Sequence, residues 1–235
     1  MLISILGHWS AAIAMNPTPL RLLIFVLAMA FVIGIIQVGL ISIAFDKLGI
    51  DAESAYLLLV CTLIGSLVNL PLMTLDADPD APPLRIPPEL EKLPFFKLPP
   101  FHGKIRVTVN VGGALVPVVF SLYLVEHNPL SLFHILAGVG VVSLVAGKFS
   151  RPIPGLGIGL PMFLAPIAAA VIATLIDPDH RAALAYISGT LGVLIGADLV
   201  HLRDIRRMGS PFASIGGGGT LDGVFVTGLI AVLLA

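Results

Sequence analysis

Seven apolar runs, each close to the length needed to cross a bilayer, dominate this chain. They lie at about residues 21–45, 53–75, 105–126, 130–147, 156–176, 182–200 and 219–235. A membrane-crossing helix needs roughly 20 mostly apolar residues to traverse about 30 Å of hydrocarbon. The pattern therefore predicts an all-α polytopic membrane helix bundle of about seven spans, with residues 1–235 forming a single transmembrane domain.

The composition agrees with a lipid-embedded chain. Of the 235 residues, 57% are hydrophobic and 11% are charged, whereas soluble domains carry about 25% charged residues. The net charge of -1 argues against nucleic acid as a partner, because phosphate binding needs an excess of basic residues on one face. We expect membrane lipids as partners, together with other membrane helices or a homo-oligomer.

The basic residues set the expected orientation, because positively charged loops favour the cytoplasmic side. With the N-terminus in the cytoplasm, only Lys47 and Arg181 fall on the outer side. The remaining basic residues all fall on the cytoplasmic side: Arg21, Arg85, Lys92, Lys97, Lys104, Arg106, Lys148, Arg151, Arg203, Arg206 and Arg207. The distribution predicts a multi-pass protein of the cell (inner) membrane with a cytoplasmic N-terminus.

The longest predicted connection, at about 76–104, is rich in proline and cytoplasmic. Proline breaks helices longer than a turn or two, while Leu93, Phe95 and Phe96 make the segment too apolar for a solvated linker. We expect it to lie against the headgroups or over the mouths of neighbouring helices. A passive surface loop and a lid over a cytoplasm-facing cavity both fit this pattern.

A charge inside an apolar run is costly and usually faces a cavity or a partner, and two acidic residues stand out for this reason. Asp198 lies near the cytoplasmic end of the sixth span, and Asp222 lies in the first turn of the seventh. Because these antiparallel spans are joined by a loop, the two carboxylates can lie at the same depth. His201 follows Asp198 by three residues and shares its helical face. Asp198 and Asp222 are the candidate catalytic pair, and all three residues are candidate metal ligands, although the sequence identifies no cofactor.

Small and polar residues converge on the same depth. Asn69 ends the second span, and Asn110 begins the third. Glycine lets helices approach closely, and proline frees a backbone carbonyl for another partner. The candidate cavity-lining or ligand-binding residues are His201, Asn110, Gly112, Gly113, Gly157, Pro161, Gly217, Gly219, Thr220 and Gly223. They predict a polar cavity in the cytoplasmic third of the bundle, although helix packing by the glycines and helix capping by Asp222 are simpler interpretations.

Several stretches resemble the signature segments of a prokaryotic membrane family catalogued as domain of unknown function 1614. These stretches are Gly196-Ala197-Asp198-Leu199, Ser214-Ile215-Gly216-Gly217, Gly219-Thr220-Leu221-Asp222-Gly223-Val224-Phe225, Pro154-Gly155-Leu156-Gly157-Ile158 and Pro161. The resemblance covers most of the chain, and the last 80 residues carry its specific part. It implies a multi-pass membrane protein and brings no established activity.

The glycine-rich approach to Asp222 is also similar to the Gly-x-Gly-Asp motif of presenilin-type and prepilin-type membrane proteases, although here Thr220-Leu221 precedes the aspartate. Two neighbouring carboxylates share one proton, so that one acts as general base on water and the other as general acid. The sequence therefore favours a membrane-embedded di-aspartate hydrolase acting on a peptide or another amide.

Three other functions remain open. Leu221-Asp222-Gly223 looks like the ligand segment of site-2 metalloproteases, but zinc catalysis typically needs two histidines on one helical turn, and the chain contains no His-Glu-x-x-His. A proton- or cation-coupled transporter or permease could use the same Asp and His residues. A membrane scaffold or accessory subunit would use the carboxylates only for assembly.

Overall fold

The computed structural model describes residues 19–79, 81, 103–153, 157–217 and 223–235. Its α-helices are α1 (Pro19–Lys47), α2 (Ala52–Gly65), α3 (Val116–His127), α4 (Leu132–Phe149), α5 (Leu164–Ile176), α6 (Arg181–Val193) and α7 (Gly223–Leu234). Its strands are β1 (Asn69–Asp76), β2 (Lys104–Asn110), β3 (Arg151–Ile153), β4 (Gly157–Gly159) and β5 (Phe212–Ile215). The backbone divides into two compact units, Met1–Ile41 and Ser42–Ala235.

The described part of the chain is mostly helical, and each predicted apolar run contains one of its helices. Within the described residues, three helices are long and apolar enough to cross a membrane, namely Met29–Lys47, Leu132–Phe149 and Arg181–Arg207. The other four apolar helices are Ala52–Gly65, Val111–His127, Leu164–Ile176 and Gly223–Leu234. A helix of 14 residues such as α2 rises only about 21 Å. Helix length therefore does not support the predicted count of seven spans.

The prediction of an all-α fold is wrong in the second, third and fifth apolar runs, which contain β1, β2 and β4 respectively. The second run changes from α2 to β1 after a turn, and the third begins as β2. In β2, Ile105 and Val107 are buried while Lys104 and Arg106 are exposed. This period of two is the pattern of a strand. Window-averaged hydropathy does not register the alternation, because the mean stays apolar.

Three of the strands form one sheet in the order β1-β2-β5. β1 is antiparallel to β2 and places Asn69 opposite Asn110, while β5 is parallel to β2 and places Ile215 opposite Val109. β3 and β4 pair separately as a short antiparallel ladder. Strand backbone is tolerated at membrane depth only where protein buries it or water reaches it. A sheet that reaches membrane depth has to meet one of these conditions.

α6 is the central helix of the second unit and contacts α3, α4, α5 and α7. In the apolar window of Arg181–Arg207, 72% of the residues are buried, against 22% for Leu132–Phe149. On the outer helices, Phe133, Leu144 and Leu175 are each about three-quarters exposed. Side chains of this kind need lipid or another apolar partner around them.

Glycines let α4 approach α6 closely. A Cβ at Gly192 would lie 2.5 Å from Cβ of Val142 in α4, and one at Gly196, just beyond the end of α6, would overlap the carbonyl oxygen of Ser143 in α4. Gly140 of α4, by contrast, has nothing within 4 Å of the position where a Cβ would stand. The α4–α6 contact therefore requires glycine at position 192 of α6, whereas position 140 of α4 has space for a side chain.

We predict that Gly192→Ala lowers the free energy of unfolding by about 1–3 kcal/mol, because the added methyl overpacks against Val142. Gly140→Ala is the matched control, and we expect it to be neutral or to stabilise by about 0.5–1 kcal/mol, since alanine is the better helix former. Denaturant titration of both variants in detergent micelles tests this. Equal stability of the two variants would contradict the close α4–α6 contact.

Candidate functional site

Two π-helical segments lie where the sheet meets the helices. The first π segment, Val111–Leu115, joins β2 to α3, and the second π segment, Leu194–Leu199, extends α6. A 3-10 helix, Val200–Arg207, continues from the second. Single π turns are frequent at functional sites because they displace side chains from the regular helical positions. Asp198 belongs to the second π segment.

Asp198 is joined to the end of the sheet through Gly216. Its Oδ2 accepts a hydrogen bond of 2.8 Å from the backbone N–H of Gly216. Gly216 has a φ of 77°, and a Cβ there would lie 2.5 Å from Cβ of Ala114 in the first π segment. Glycine is the residue that adopts this backbone conformation without strain. Gly216 thus lies between the two π segments and links both of them to β5.

Asn110 holds the other side of the site together. It is fully buried, and its Oδ1 accepts a hydrogen bond of 2.7 Å from the N–H of Gly113, which caps the first π segment. Its Nδ2 donates to the carbonyl oxygen of Ser66 at 2.7 Å and to Oδ1 of Asn69 at 3.2 Å. A buried amide with these partners has a fixed orientation. Asn110 therefore ties the end of α2 to the start of β1 and to the first π segment.

A further hydrogen bond crosses the sheet. Oγ of Ser214 in β5 donates to Oδ1 of Asn69 in β1 at 2.8 Å, although β2 lies between these two strands. The side chains of Asn69, Asn110 and Ser214 are therefore connected at one end of the sheet. Asp198 reaches the same end through Gly216.

The structure brings several predicted site residues together. Asn110, Gly112 and Gly113 lie at the β2–α3 junction, and a Cβ at Gly112 would overlap the carbonyl oxygen of Thr62 in α2. Gly217 follows β5 with a φ of 89°. The simpler interpretation of the glycines as packing contacts is correct for Gly112.

The other described residues of the predicted site are His201, Gly157, Pro161 and Gly223. Nδ1 of His201 lies 3.1 Å from the carbonyl oxygen of Ala197 on the preceding turn, and its segment is a 3-10 helix. Gly157 lies in β4, Pro161 lies between β4 and α5, and Gly223 begins α7. The predicted shared face of Asp198 and His201 requires a regular α-helix, and the π and 3-10 segments interrupt that helix here.

The second predicted carboxylate, Asp222, lies outside the described residues, as do Gly219 and Thr220 and most of the proline-rich connection. The Asp198–Asp222 pair therefore stays a prediction. Within residues 19–79, 103–153, 157–217 and 223–235, no three His, Cys, Asp or Glu residues are grouped so that they could hold a metal ion. The predicted ligand set of Asp198, His201 and Asp222 is not tested by this, because it includes Asp222.

A family model described as "Protein of unknown function (DUF1614)" matches residues 63–234. The chain belongs to this family. The matched region includes the three-stranded sheet, both π segments and Asp198, and it agrees with the resemblance found in the sequence. Comparison with curated proteins gives no match, and comparison with solved structures gives none either. The family description carries no activity, so function has to be argued from the site.

A second polar cluster, which the sequence did not predict, lies at the other end of α6. Nδ1 of His134 lies 3.1 Å from Oδ2 of Asp177, and Nδ1 of His180 lies 3.1 Å from Oδ1 of the same carboxylate. Burial alone would raise the pKa of Asp177, but hydrogen bonds from the two histidines hold it below its usual value. Asp177 and His180 are only three positions apart in the sequence. His134 lies near them because α4 packs beside α5.

A cavity of about 350 Å³ adjoins this cluster. Its lining includes Lys47, His180, Arg181 and Ala235. Nζ of Lys47 donates to the carbonyl oxygens of Val232 and Leu233 at 3.3 and 3.1 Å, which satisfies backbone acceptors at the end of α7. The cavity therefore lies at the opposite end of α6 from Asp198.

We predict that Asp177→Asn lowers the thermal midpoint at pH 6–7 by about 2–5 °C, because the ionised carboxylate stabilises the histidine cluster. The folded-state pKa is lowered, so the stabilisation is present above the ordinary value of 3.8 and is lost as the pH falls through the folded-state pKa. The difference between wild type and variant should therefore shrink in strong acid. Asp179→Asn is the matched control, since its exposed carboxylate makes no ion pair with any described residue.

Thermal unfolding in detergent across pH 3–7 measures both variants. An Asp177→Asn midpoint equal to that of Asp179→Asn at neutral pH would show that the cluster contributes nothing to stability.

Proposed function

We propose that this chain is a membrane-embedded hydrolase in which Asp198 and Asp222 act together on a peptide or another amide. The bond of 2.8 Å from the Gly216 amide to Asp198 carries the proposal. It fixes one carboxylate beside the glycine-rich segment that leads to the other. Asp222 immediately precedes Gly223, the first residue of α7, and α7 contacts both α6 and the first π segment.

The proposed chemistry follows from two carboxylates in a site of low dielectric. When two carboxyl groups approach closely, they share one proton, because ionising both is costly. The ionised group then takes a proton from water as the water attacks the amide carbonyl, and the protonated group gives its proton to the leaving nitrogen. A single carboxyl group cannot accept the proton from water and also donate a proton to the leaving nitrogen in the same step.

The three-stranded sheet supports a peptide substrate. Hydrolysis needs water, and strand backbone at membrane depth implies burial in protein or contact with water. β1 has β2 as its only partner among the described strands, and most of its residues are exposed. A free strand edge offers backbone hydrogen bonds to an extended segment. A helical substrate that unwinds into such a segment exposes the peptide bond to attack.

We also propose that the chain crosses the cell membrane several times with its N-terminus in the cytoplasm. Lys47, Arg181 and Ala235 line one cavity, which is the arrangement expected if all three lie on the outer side. At the other end of α6, Nε of Arg207 lies 3.4 Å from Oδ2 of Asp78. On this view the short helices complete their crossings with adjoining strands, and exposed apolar side chains contact lipid or a second copy.

We predict that Asp198→Asn and Asp222→Asn each lower kcat by about 10²–10⁴-fold, because general acid and base catalysis contributes this much. KM should change little. The assay measures release of fluorescent fragments from fluorescein-labelled casein and from synthetic transmembrane peptides, in micelles and in liposomes. Asp204→Asn, in the 3-10 helix beyond Asp198, is the matched control and should keep its activity.

Two results would contradict the hydrolase. One is the absence of cleavage of every probe by the wild-type protein. The other is undiminished cleavage by Asp198→Asn.

A proton- or cation-coupled transporter is the second candidate, and one observation favours it. Oη of Tyr186 and Oγ1 of Thr190 are buried and lie near each other on α6, without a hydrogen bond of good geometry to any described residue. Buried polar groups inside a membrane bundle often mark ion or proton pathways. A transporter would show proton flux in liposomes that Tyr186→Phe slows and Asp198→Asn uncouples, while no probe is cleaved. A scaffold would show neither activity.

A further inference from the structure

We infer that the side-chain amide of Asn69 is the donor that stabilises the oxyanion formed when the amide substrate is attacked. The inference rests on the proposed hydrolase function and adds a third catalytic residue to Asp198 and Asp222. It comes from the way the hydrogen bonds around Asn69 fix which of its atoms can still donate.

The orientation of Asn69 follows from that of Asn110. Asn110 receives the N–H of Gly113 on Oδ1 and donates from Nδ2 to the carbonyl oxygen of Ser66, so its amide cannot be reversed. The atom of Asn69 that faces Nδ2 of Asn110 must therefore accept, and this makes it Oδ1. The hydroxyl of Ser214 also donates to that oxygen.

Both hydrogens on Nδ2 of Asn69 therefore point away from the two hydrogen bonds that its Oδ1 accepts from Asn110 and Ser214. Nδ2 has no hydrogen-bond partner among the residues that the structure describes, and Asn69 is exposed. Two acceptor bonds on the neighbouring oxygen hold the amide group still. An oriented donor with no internal partner is what an oxyanion requires, since no reorganisation is needed as the charge develops.

The register of the sheet places Asn69 at the same end as Gly216, whose amide holds Asp198. Asn69 lies opposite Asn110, and Ile215 lies opposite Val109, so Gly216 follows level with Asn110. Neighbouring strands are about 4.8 Å apart, which brings Asn69 within roughly 10 Å of Gly216 along the backbone. The amide of Gly216 holds Asp198. On this inference, the substrate carbonyl lies between Nδ2 of Asn69 and the carboxylate of Asp198.

The Asn69→Asp variant tests the hydrogen-bond donor of Asn69 separately from the bonds that its side-chain oxygen accepts. The new carboxylate keeps an oxygen that accepts from Asn110 and Ser214, but it has no N–H to offer. We expect kcat for fluorescein-labelled casein and for the transmembrane peptides to fall about 10²–10³-fold, as when one oxyanion donor is removed. KM and the thermal midpoint should stay close to wild type, which a purely structural role would not allow.

Asn128→Asp is the matched control for the chemical change. Nδ2 of Asn128 donates to the carbonyl oxygen of Leu124, and Asn128 lines the cavity at the other end of α6, so its cleavage rate should equal that of wild type. Asn69→Ala is the second variant and also loses the acceptor, so it should lower both kcat and the thermal midpoint.

The outcomes distinguish this inference from the function beneath it. If Asp198→Asn is inactive while Asn69→Asp cleaves like wild type, the oxyanion role of Asn69 is overturned and the hydrolase stands. If the wild-type protein cleaves none of these probes, both are overturned. A fall in kcat for Asn69→Asp, with KM and thermal midpoint unchanged, supports the assignment.

Discussion

The hydrogen bond from the Gly216 amide to the Asp198 carboxylate organises the end of this protein at which the three-stranded sheet meets the helices. A backbone N–H inside an apolar bundle needs an acceptor, and Asp198 supplies one from the central helix. The bond fixes how the chain leaves β5 on its way to α7. Position 216 requires glycine because the residue has a positive φ and lies against Ala114 with no space for a side chain.

The rest of the site consists of amide and hydroxyl groups that satisfy one another. Asn110 is fully buried, and an unpaired amide there would cost about 1–3 kcal/mol. Its bonds to Ser66, Asn69 and Gly113 offset that cost and make the junction of α2, β1 and α3 rigid.

The two ends of α6 differ in chemistry. A carboxylate and amides lie at one end, and the histidine cluster around Asp177 lies at the other.

Sequence reasoning indicates where each described helix lies and singles out several residues of the candidate site, for identifiable reasons. A carboxylate inside an apolar run is conspicuous in the sequence, which singles out Asp198, and Asn110, Gly112 and Gly113 stand out near the start of the third apolar run. The sheet is not visible in hydropathy because β1 and β2 lie at the ends of apolar runs, and a window of spanning length averages their alternating residues with the adjoining helix. The bond between Ser214 and Asn69 joins residues 145 positions apart, and His134 is 43 positions from Asp177. No local pattern predicts such pairs, because they depend on strand register and helix packing.

Hydrogen exchange at the Gly216 amide tests the central claim most directly. Residue-resolved exchange would be compared in the wild-type protein, in Asp198→Ala and in the control Asp204→Ala, in the same detergent and at the same pH. The account predicts that the amide is protected in wild type and control, and that it exchanges at least about tenfold faster in Asp198→Ala, since a charge-assisted bond is lost. Equal exchange in all three proteins would contradict it.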